Sequence, residues 1–401
     1  MIMFFFFMFS AVFITLGVIL YIMNIIVGNS NDNYPSNRNK DNLRICLLIT
    51  SKSKHKNLVL LFESILNQTH KVSMKDVYVI TENNDISNEL SEKYNANYYV
   101  KKWDTPKRKG YLLDELIKNI INTKKNYDMY FILDENMTLD DKYIEKMIDS
   151  YKKGYDIGIG YRANKDKCSS ITQICSGLFT TTFNSITNNI RTKKSLNITL
   201  LDSGYFINGD LIEILNGFPF HSLNDDYELT IYSTINNFKT GYNKEAIYYD
   251  KQIDKLKNSI IERAKKIKGY LFVRHKYKKK LQKLIKRDYY NYGSVFNIYI
   301  TLTPLTLIFF GILLAFMTSI FSSIYFIATS VQEFRLYLFI AFLIILTVYT
   351  LLTIYTIIII IIQGKKINLS LSNKIKLVFL YPLYLLTYIN AYIKSYFISN
   401  V

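Results

Sequence analysis

Apolar positions crowd both ends of the chain, and between them short hydrophobic runs alternate with amphipathic stretches. Residues 1–27 carry no charged side chain and exceed the ~20 residues a helix needs to cross a bilayer. A cleavable leader would show a basic start, a shorter apolar run and a small-residue cleavage site. None of these is visible, so the stretch reads as a retained anchor. Residues 29–42 are polar and rich in Asn and Ser, as in a linker. A run of strand length at 43–50 then precedes a helical spacing that puts Leu58, Leu61, Ile65 and Leu66 on one side. The alternation continues with strands at 77–81, 98–100 and 129–133 and helices at 86–94, 111–121 and 140–151. Further strands are expected at 155–161, 200–208 and 246–249, with helices at 169–187 and 225–237. The helix at 169–187 is polar enough for a lid or surface element. This order predicts βαβ units and a mostly parallel α/β sheet.

Ligands of such sheets bind beyond the carboxyl ends of the strands. Two polar clusters fall there: Glu82-Asn83-Asn84-Asp85 after the second strand and Asp134-Glu135-Asn136 after the fourth. Either alone reads as a turn; together they point to a site on one sheet edge.

Toward the C-terminus, residues 255–286 read as one or two basic amphipathic helices. Residues 295–331 combine an interfacial start with a transmembrane helix, and 336–362 form a second span. Residues 377–397 are apolar but carry Pro382, Asn390 and Lys394 and repeat tyrosines from Tyr381 to Tyr396. Aromatic side chains favour the membrane interface, so an in-plane or re-entrant helix is preferred over a third span. The expected organisation is an anchor (1–28), a linker (29–42), an α/β catalytic domain (43–254), basic interfacial helices (255–294), two membrane segments (295–331 and 336–362) and a terminal interfacial helix (363–401).

Composition adds orientation. The 401 residues carry a net charge of +18 and a sequence pI near 9.4. That balance suits nucleic acid or an anionic membrane surface. The densest basic run, from Arg263 to Arg287, lies just before a hydrophobic span, which favours anionic lipid over nucleic acid. Lys and Arg are plentiful between Arg38 and Arg287 and recur at Lys365, Lys366, Lys374 and Lys376, whereas the connection over 332–335 holds only Arg335. The middle domain and C-terminus are therefore expected on the cytoplasmic side of a multi-pass inner or plasma membrane protein. Cys46, Cys168 and Cys175 form no CxxC pair; they read as free thiols in a reducing compartment and not as a structural zinc site.

The stretch with most chemistry is His221-Ser222-Leu223-Asn224-Asp225-Asp226-Tyr227-Glu228. Polar residues able to cap a helix precede acids at its N-terminus, where the helix dipole favours negative charge. A cap alone would explain them. Other segments extend the pattern: Arg108-Lys109-Gly110-Tyr111-Leu112-Leu113, Asp134-Glu135-Asn136, Gly160-Tyr161-Arg162 with Lys165, and Glu262-Arg263-Ala264-Lys265-Lys266.

Over nearly its whole length the chain resembles the inverting family 2 glycosyltransferases, a GT-A fold group that includes cellulose, chitin, hyaluronan and poly-N-acetylglucosamine synthases. The resemblance implies a GT-A, Rossmann-like domain with one N-terminal and two C-terminal transmembrane helices plus an interfacial helix. It implies that Asp226, the last acid of the family's Thr-Glu-Asp, is the general base. Glu82 stands where the family's acid reads the nucleotide base, and Lys109, Asp134, Arg263 and Lys265 fall on the donor side. Asp225, Glu262 and Lys266 fall on the acceptor side. The family's Asp-x-Asp becomes Asp134-Glu135-Asn136, so Asp134 and Asn136 would hold Mg2+ or Mn2+; a one-residue shift would substitute Glu135. The family's Gln-x-x-Arg-Trp becomes Glu262-Arg263-Ala264-Lys265-Lys266, where lysine cannot stack a sugar and lacks the fork of arginine. Trp103, the single tryptophan, is expected to pack beside the donor loop. The implied activity is transfer of a sugar from a nucleotide sugar, a UDP-sugar above all, to a growing polysaccharide or lipid-linked acceptor in cell-envelope synthesis. The alternative is a catalytically impaired relative that serves as an assembly partner. Implied partners are donor, acceptor, anionic lipids and a second copy or another membrane protein, with no nucleic acid.

Overall fold

Strand β1 (Ile45–Thr50) is buried along its whole length, because its alternating side chains meet a helical layer on each face. Ile45, Leu47 and Ile49 pack with Leu58, Leu61 and Phe62 of the helix His55–Leu66 and with Met147 of Tyr143–Lys152. Cys46 and Leu48 point the other way, onto Leu113, Leu116 and Ile117 of the helix Lys109–Asn122. The structure, a computed structural model, describes residues 2–26, 37–51, 55–82, 87–164, 170–287, 292–300, 303–329, 331–363 and 369–398. Asn83, Asn84, Asp85, Lys165, Cys168, Lys365, Lys366 and half of the expected linker lie outside the described residues.

The remaining strands are β2 (Val77–Thr81), β3 (Asn97–Val100), β4 (Met129–Asp134), β5 (Met137–Leu139), β6 (Ile157–Asn164), β7 (Tyr205–Asn208) and β8 (Thr240–Asp250), in the order β3-β2-β1-β4-β7-β6-β8-β5. From β3 to β4 every pairing is parallel, as the alternating pattern predicts. The second half departs from it: β7 runs antiparallel to both β4 and β6, and β5 antiparallel to β8, while β6 and β8 are parallel. The sheet is therefore mixed. The chain leaves β6 and re-enters β7 at the same edge without crossing over, and such a connection yields an antiparallel neighbour. The functional consequence is that the carboxyl ends of β1, β2, β4, β6 and β8 share one edge with the start of β7.

Residues 256–287 form one helix, Leu256–Arg287. It packs on Asp225–Ile235, where Tyr227 and Tyr270 meet edge to face. The fully buried Glu228 accepts from Lys276 Nζ (2.6 Å), Tyr277 Oη (3.2 Å) and the Ser222 amide (3.2 Å). A buried carboxylate is tolerated only when its oxygens are satisfied in this way.

The structure divides into two units, Gly28–Val295 with Tyr392–Val401 and Met1–Val27 with Phe296–Ala391. In the second, the helices Ile2–Ile26 and Thr303–Thr329 approach closely: Ser10 Oγ donates to the Gly311 carbonyl at 2.7 Å, and a Cβ on Gly311 would lie 2.5 Å from Ile14. Small residues at such a crossing let helix backbones approach. Among the described residues, Leu338–Ile362 and Leu371–Tyr396 are long and apolar enough to cross a membrane, while the apolar stretches Phe5–Gly17 and Phe310–Ser322 are shorter. The segment read as a terminal interfacial helix is two helices, Leu371–Leu386 and Tyr388–Tyr396, with Pro382 inside the first.

Candidate active site

Asn224 caps the helix Asp225–Ile235, its side chain accepting from the Tyr227 amide at 3.3 Å. This places Asp225 and Asp226 in the first turn, both buried. Asp226 is densely partnered. Lys109 Nζ reaches Oδ1 at 2.9 Å and Oδ2 at 3.1 Å, and Tyr205, the first residue of β7, donates its hydroxyl to Oδ1 at 2.8 Å.

The local sequence explains how Lys109 arrives there. A Cβ on Gly110 would fall 2.0 Å from the Phe220 carbonyl oxygen, so only glycine lets this helix start lie against the backbone leading to the acids. Arg108 donates to the His221 carbonyl at 3.1 Å, and Tyr111 stacks on the His221 ring with centroids 4.2 Å apart. The Arg-Lys-Gly-Tyr segment is thus a clamp on the loop that carries Asp225 and Asp226.

Asp225 differs from its neighbour. It is 7% exposed, and its Oδ2 has no hydrogen-bond partner among the described residues. Burial, joined by the charges of Asp226 and Asp134 and opposed by Lys109, pushes its carboxyl up to about 7. For Lys109, burial disfavours the ammonium, but Asp226, Asp225 and Asp134 together outweigh it and hold the amine above its usual range. Burial and the same acids raise the Tyr205 hydroxyl, keeping it protonated as a donor.

At the end of β4, Asp134 accepts from Thr50 Oγ1 and Asn136 Oδ1 from Asn57 Nδ2, each at 2.7 Å. Both are half-buried, whereas Glu135 is buried with Oε2 on Ser51 Oγ at 2.7 Å. Glu135 and Asn136 form the turn between β4 and β5, with Glu135 on the packed side and Asp134 and Asn136 less buried. Among the described residues no three His, Cys, Asp or Glu side chains gather as a metal site. The donor set here is a carboxylate and an amide, which suits a hard cation that takes its other oxygens from phosphate and water.

A second network lies at the same edge. Arg162 on β6 pairs with Asp202 and with Asp250 at the end of β8. Lys266 grips Asp202 at 2.6 and 2.7 Å. Burial would raise the Asp202 carboxyl, but Lys266 and Arg162 outweigh it and hold Asp202 well below its usual value. Because Lys109 acts on Asp202 in the same sense, the two networks belong to one field.

Of the residues singled out from sequence, Lys109, Asp134, Asp225 and Asp226 are brought together, and Lys266 joins them through Asp202. Glu82 is half-buried just past β2, at the same sheet edge. Lys265 and Glu262 pair with each other at 3.0 Å, both about half exposed. Arg263 is buried, donates to the Ser259 carbonyl at 3.2 Å, and its charge acts on Cys175, whose thiol burial pushes up to about 12. Trp103 sits beside the helix of Lys109, under Lys118 Nζ at 5.1 Å from the ring centroid. Sequence reading missed Tyr205 and Asp202. An aspartate and a tyrosine flanking a Ser-Gly turn carry no pattern of their own, and only the antiparallel entry of β7 brings them to this edge.

No described protein family and no curated protein matches the chain by sequence. By structure it is similar to the mannosyltransferase PcManGT from Pyrobaculum calidifontis, solved with GDP-Man and Mn2+, with a TM-score of 0.59 at 9% identity over 99% of each chain. Weaker likenesses are to glucosyl-3-phosphoglycerate synthase from Mycobacterium tuberculosis, solved with Mn2+, UDP and phosphoglyceric acid (TM-score 0.41, 10% identity, 60% of this chain and 86% of that one). Another is S. aureus TarS 1-349 with UDP (TM-score 0.35, 12% identity, 61% and 73%). At these identities the likeness is one of fold, and it rests on the mannosyltransferase: the α/β fold is GT-A-like.

Proposed function

We propose that the chain is a membrane-bound glycosyltransferase that passes a sugar from a nucleotide sugar, such as a UDP-sugar, to a growing polysaccharide or lipid-linked acceptor with inversion. The observation that carries this reading is the convergence of Lys109, Asp134, Asp225, Asp226 and Tyr205 on one edge of a GT-A-like sheet. The fold likeness to a mannosyltransferase that was solved with GDP-Man and Mn2+ supports it.

In this reading the acceptor oxygen attacks the anomeric carbon as the bond to the nucleoside diphosphate breaks on the opposite face. The acid pair opening the helix Asp225–Ile235 takes the acceptor proton; the resemblance gives that role to Asp226. Lys109 supplies the positive charge nearest the acids and would steady the leaving diphosphate. Asp134 and Asn136 would hold Mg2+ or Mn2+, which would neutralise diphosphate charge. Both side chains are only half-buried, which suits such an ion in company with phosphate oxygens. Membrane segments at both ends would keep the catalytic domain on the cytoplasmic side, with the helix Leu256–Arg287 against anionic lipid.

The test is nucleoside diphosphate release by the detergent-solubilised full chain, using UDP-sugars and GDP-sugars with Mn2+ and lipid-linked or oligosaccharide acceptors. Wild type should release diphosphate with at least one donor, and Asp134→Asn should lower that rate by about 100-fold, the scale of one lost electrostatic contact. Background-level release by both proteins with every donor and acceptor would instead favour an assembly partner that keeps the fold.

A further inference from the structure

We infer that Asp114 is a positioning residue of the transfer site: through His221 and the Phe218 amide it holds the loop that presents Asp226 to Lys109. The inference rests on the transferase reading above and gives a role to a carboxylate which that reading leaves unused.

Helical spacing at position 114 calls for an apolar side chain. It lies one turn from Gly110 and one turn from Ile117, on the buried side of the helix Lys109–Asn122, yet it carries a carboxylate that is 2% exposed. A buried charge persists only with donors around it. Asp114 Oδ1 accepts from the Phe218 amide at 2.9 Å. Its Oδ2 accepts from Lys118 Nζ at 3.0 Å and lies 3.1 Å from His221 Nε2. Against an ionised carboxylate, that ring nitrogen is the donor. Burial would raise the Asp114 carboxyl, but His221, the Phe218 amide and Lys118 outweigh it and hold it below its usual value. Gly217 makes the approach possible: its φ is +131°, and a Cβ there would lie 2.4 Å from Asp114 Oδ1.

What the carboxylate holds is irregular backbone. The described residues 216–224 form neither helix nor strand, so no helix or strand ladder fixes their path and side-chain contacts take that part. From the first turn of the helix Lys109–Asn122, Tyr111 stacks on the His221 ring, and Arg108 just ahead of it reaches the His221 carbonyl. Asp114 adds the next contact along the same helix. The loop ends at the Asn224 cap and delivers Asp225 and Asp226. Lys109 opens the helix and meets Asp226 Oδ1 at 2.9 Å. One rigid helix therefore grips the loop with Asp114 and faces its acid with Lys109, so the first contact sets the separation of the second. Such placement bears on rate, because a misplacement of about 1 Å at reacting groups costs about 100-fold.

The experiment measures kcat and donor KM for the solubilised full chain and its Asp114→Asn, His221→Phe, His221→Gln and Lys118→Gln variants, together with the Asp114→Asn/His221→Phe double variant. Rates are taken per molecule that binds the nucleoside diphosphate of the active donor with Mn2+, so that unfolded protein does not count. Asp114→Asn keeps an acceptor for the Phe218 amide and removes the charge, while His221→Phe keeps a ring on Tyr111 and removes the bond to Asp114. Each should hold donor KM within about threefold and lose about 10-fold in kcat, the scale of one hydrogen bond to a charged group. Because both cut the same contact, the double variant should lose no more than about threefold beyond the larger single loss. His221→Gln restores a donor and should recover part of the rate. Lys118→Gln touches Asp114 from the solvent side and should keep kcat within about threefold. The inference is overturned if Asp114→Asn and His221→Phe both keep a third or more of wild-type kcat, if their losses multiply in the double variant, or if Lys118→Gln loses as much as they do. Should Asp114→Asn fail to fold, the two His221 variants decide: recovery in His221→Gln supports the inference, and equal kcat in both overturns it. A wild type without transfer from any donor to any acceptor removes the transferase reading and this inference with it, whereas an active wild type with unaffected variants removes the inference alone.

Discussion

Asp225 and Asp226 occupy adjacent positions of one helix turn, yet their surroundings reverse what a negative charge does to stability. The Asp225 carboxyl is held above its unfolded value of 3.8, near 7. Between these values the folded state binds more protons than the unfolded chain, so this group's contribution is fully present below about pH 4 and is lost as pH rises through about 7. The difference amounts to at most about 4 kcal/mol at 1.36 kcal/mol per unit. Asp225→Asn removes the ionisation and should therefore make the protein more stable than wild type at pH 8 but not at pH 4. At Asp226 the sign changes: neutralising it strands the Lys109 ammonium, 21% exposed in its side chain. Breaking a pair buried to this degree should cost about 3 kcal/mol. Thermal unfolding of both variants across pH 4 to 8 measures the contrast, and a loss of stability at pH 8 in Asp225→Asn would show that its carboxylate has a partner in solution.

At the level of elements, the candidate site depends on close approaches that hydrophobic periodicity does not encode. A Cβ on Gly269 would lie 2.6 Å from Asn224 Cβ and 2.9 Å from the Asn224 amide, so the helix Leu256–Arg287 touches the cap that positions the acids. Gly269→Ala should push the cap aside and cost about 2 kcal/mol, in the range of overpacked interiors, with a matching fall in transfer rate. Unchanged unfolding and turnover would mean that the two helices part without consequence for the acids. Leu58, Leu61 and Ile65 were legible in sequence because the helical period places them on one core face, whereas Leu66, read with them, ends its helix exposed; the parallel run from β3 to β4 followed from the alternation of strands and helices. β5 has only three residues, too few for a period to register. The antiparallel entry of β7 was equally hidden, because the direction of a strand depends on where its connection emerges. Tyr205 and Asp202 were missed for that reason, whereas Lys109 was found through the resemblance of its Arg-Lys-Gly-Tyr segment to a family motif, and the structure adds that Gly110 beside it meets a steric demand. The segment around Arg263 shows the converse, since its side chain turns toward Ser259 and Cys175 while Lys265 pairs on the surface with Glu262.

For the whole molecule, charge and hydropathy are partitioned between the two units. In the apolar unit the basic residues are Arg335, Lys365, Lys366, Lys374 and Lys376, four of which follow the helix Val331–Gln363. In the membrane-bound reading proposed above, retention of Lys and Arg on the cytoplasmic side would turn the connection ahead of Leu338–Ile362 outward and the acids toward the cytoplasm. Single cysteines read this directly in a Cys168→Ser background, because Cys46 and Cys175 are buried. A membrane-impermeant maleimide should label Gln332→Cys in intact cells. It should label Lys257→Cys, at an exposed position near the start of Leu256–Arg287, only after permeabilisation. The same full-length chain should stay with membranes through an alkaline carbonate wash, as expected when apolar helices of 25 residues or more match a hydrocarbon core about 30 Å thick. Release by carbonate would remove the membrane assignment. Labelling of Lys257→Cys from outside would instead reverse the orientation and separate the acids from a cytoplasmic pool of nucleotide sugar, so that the proposed reaction would lose its donor even with every site residue in place.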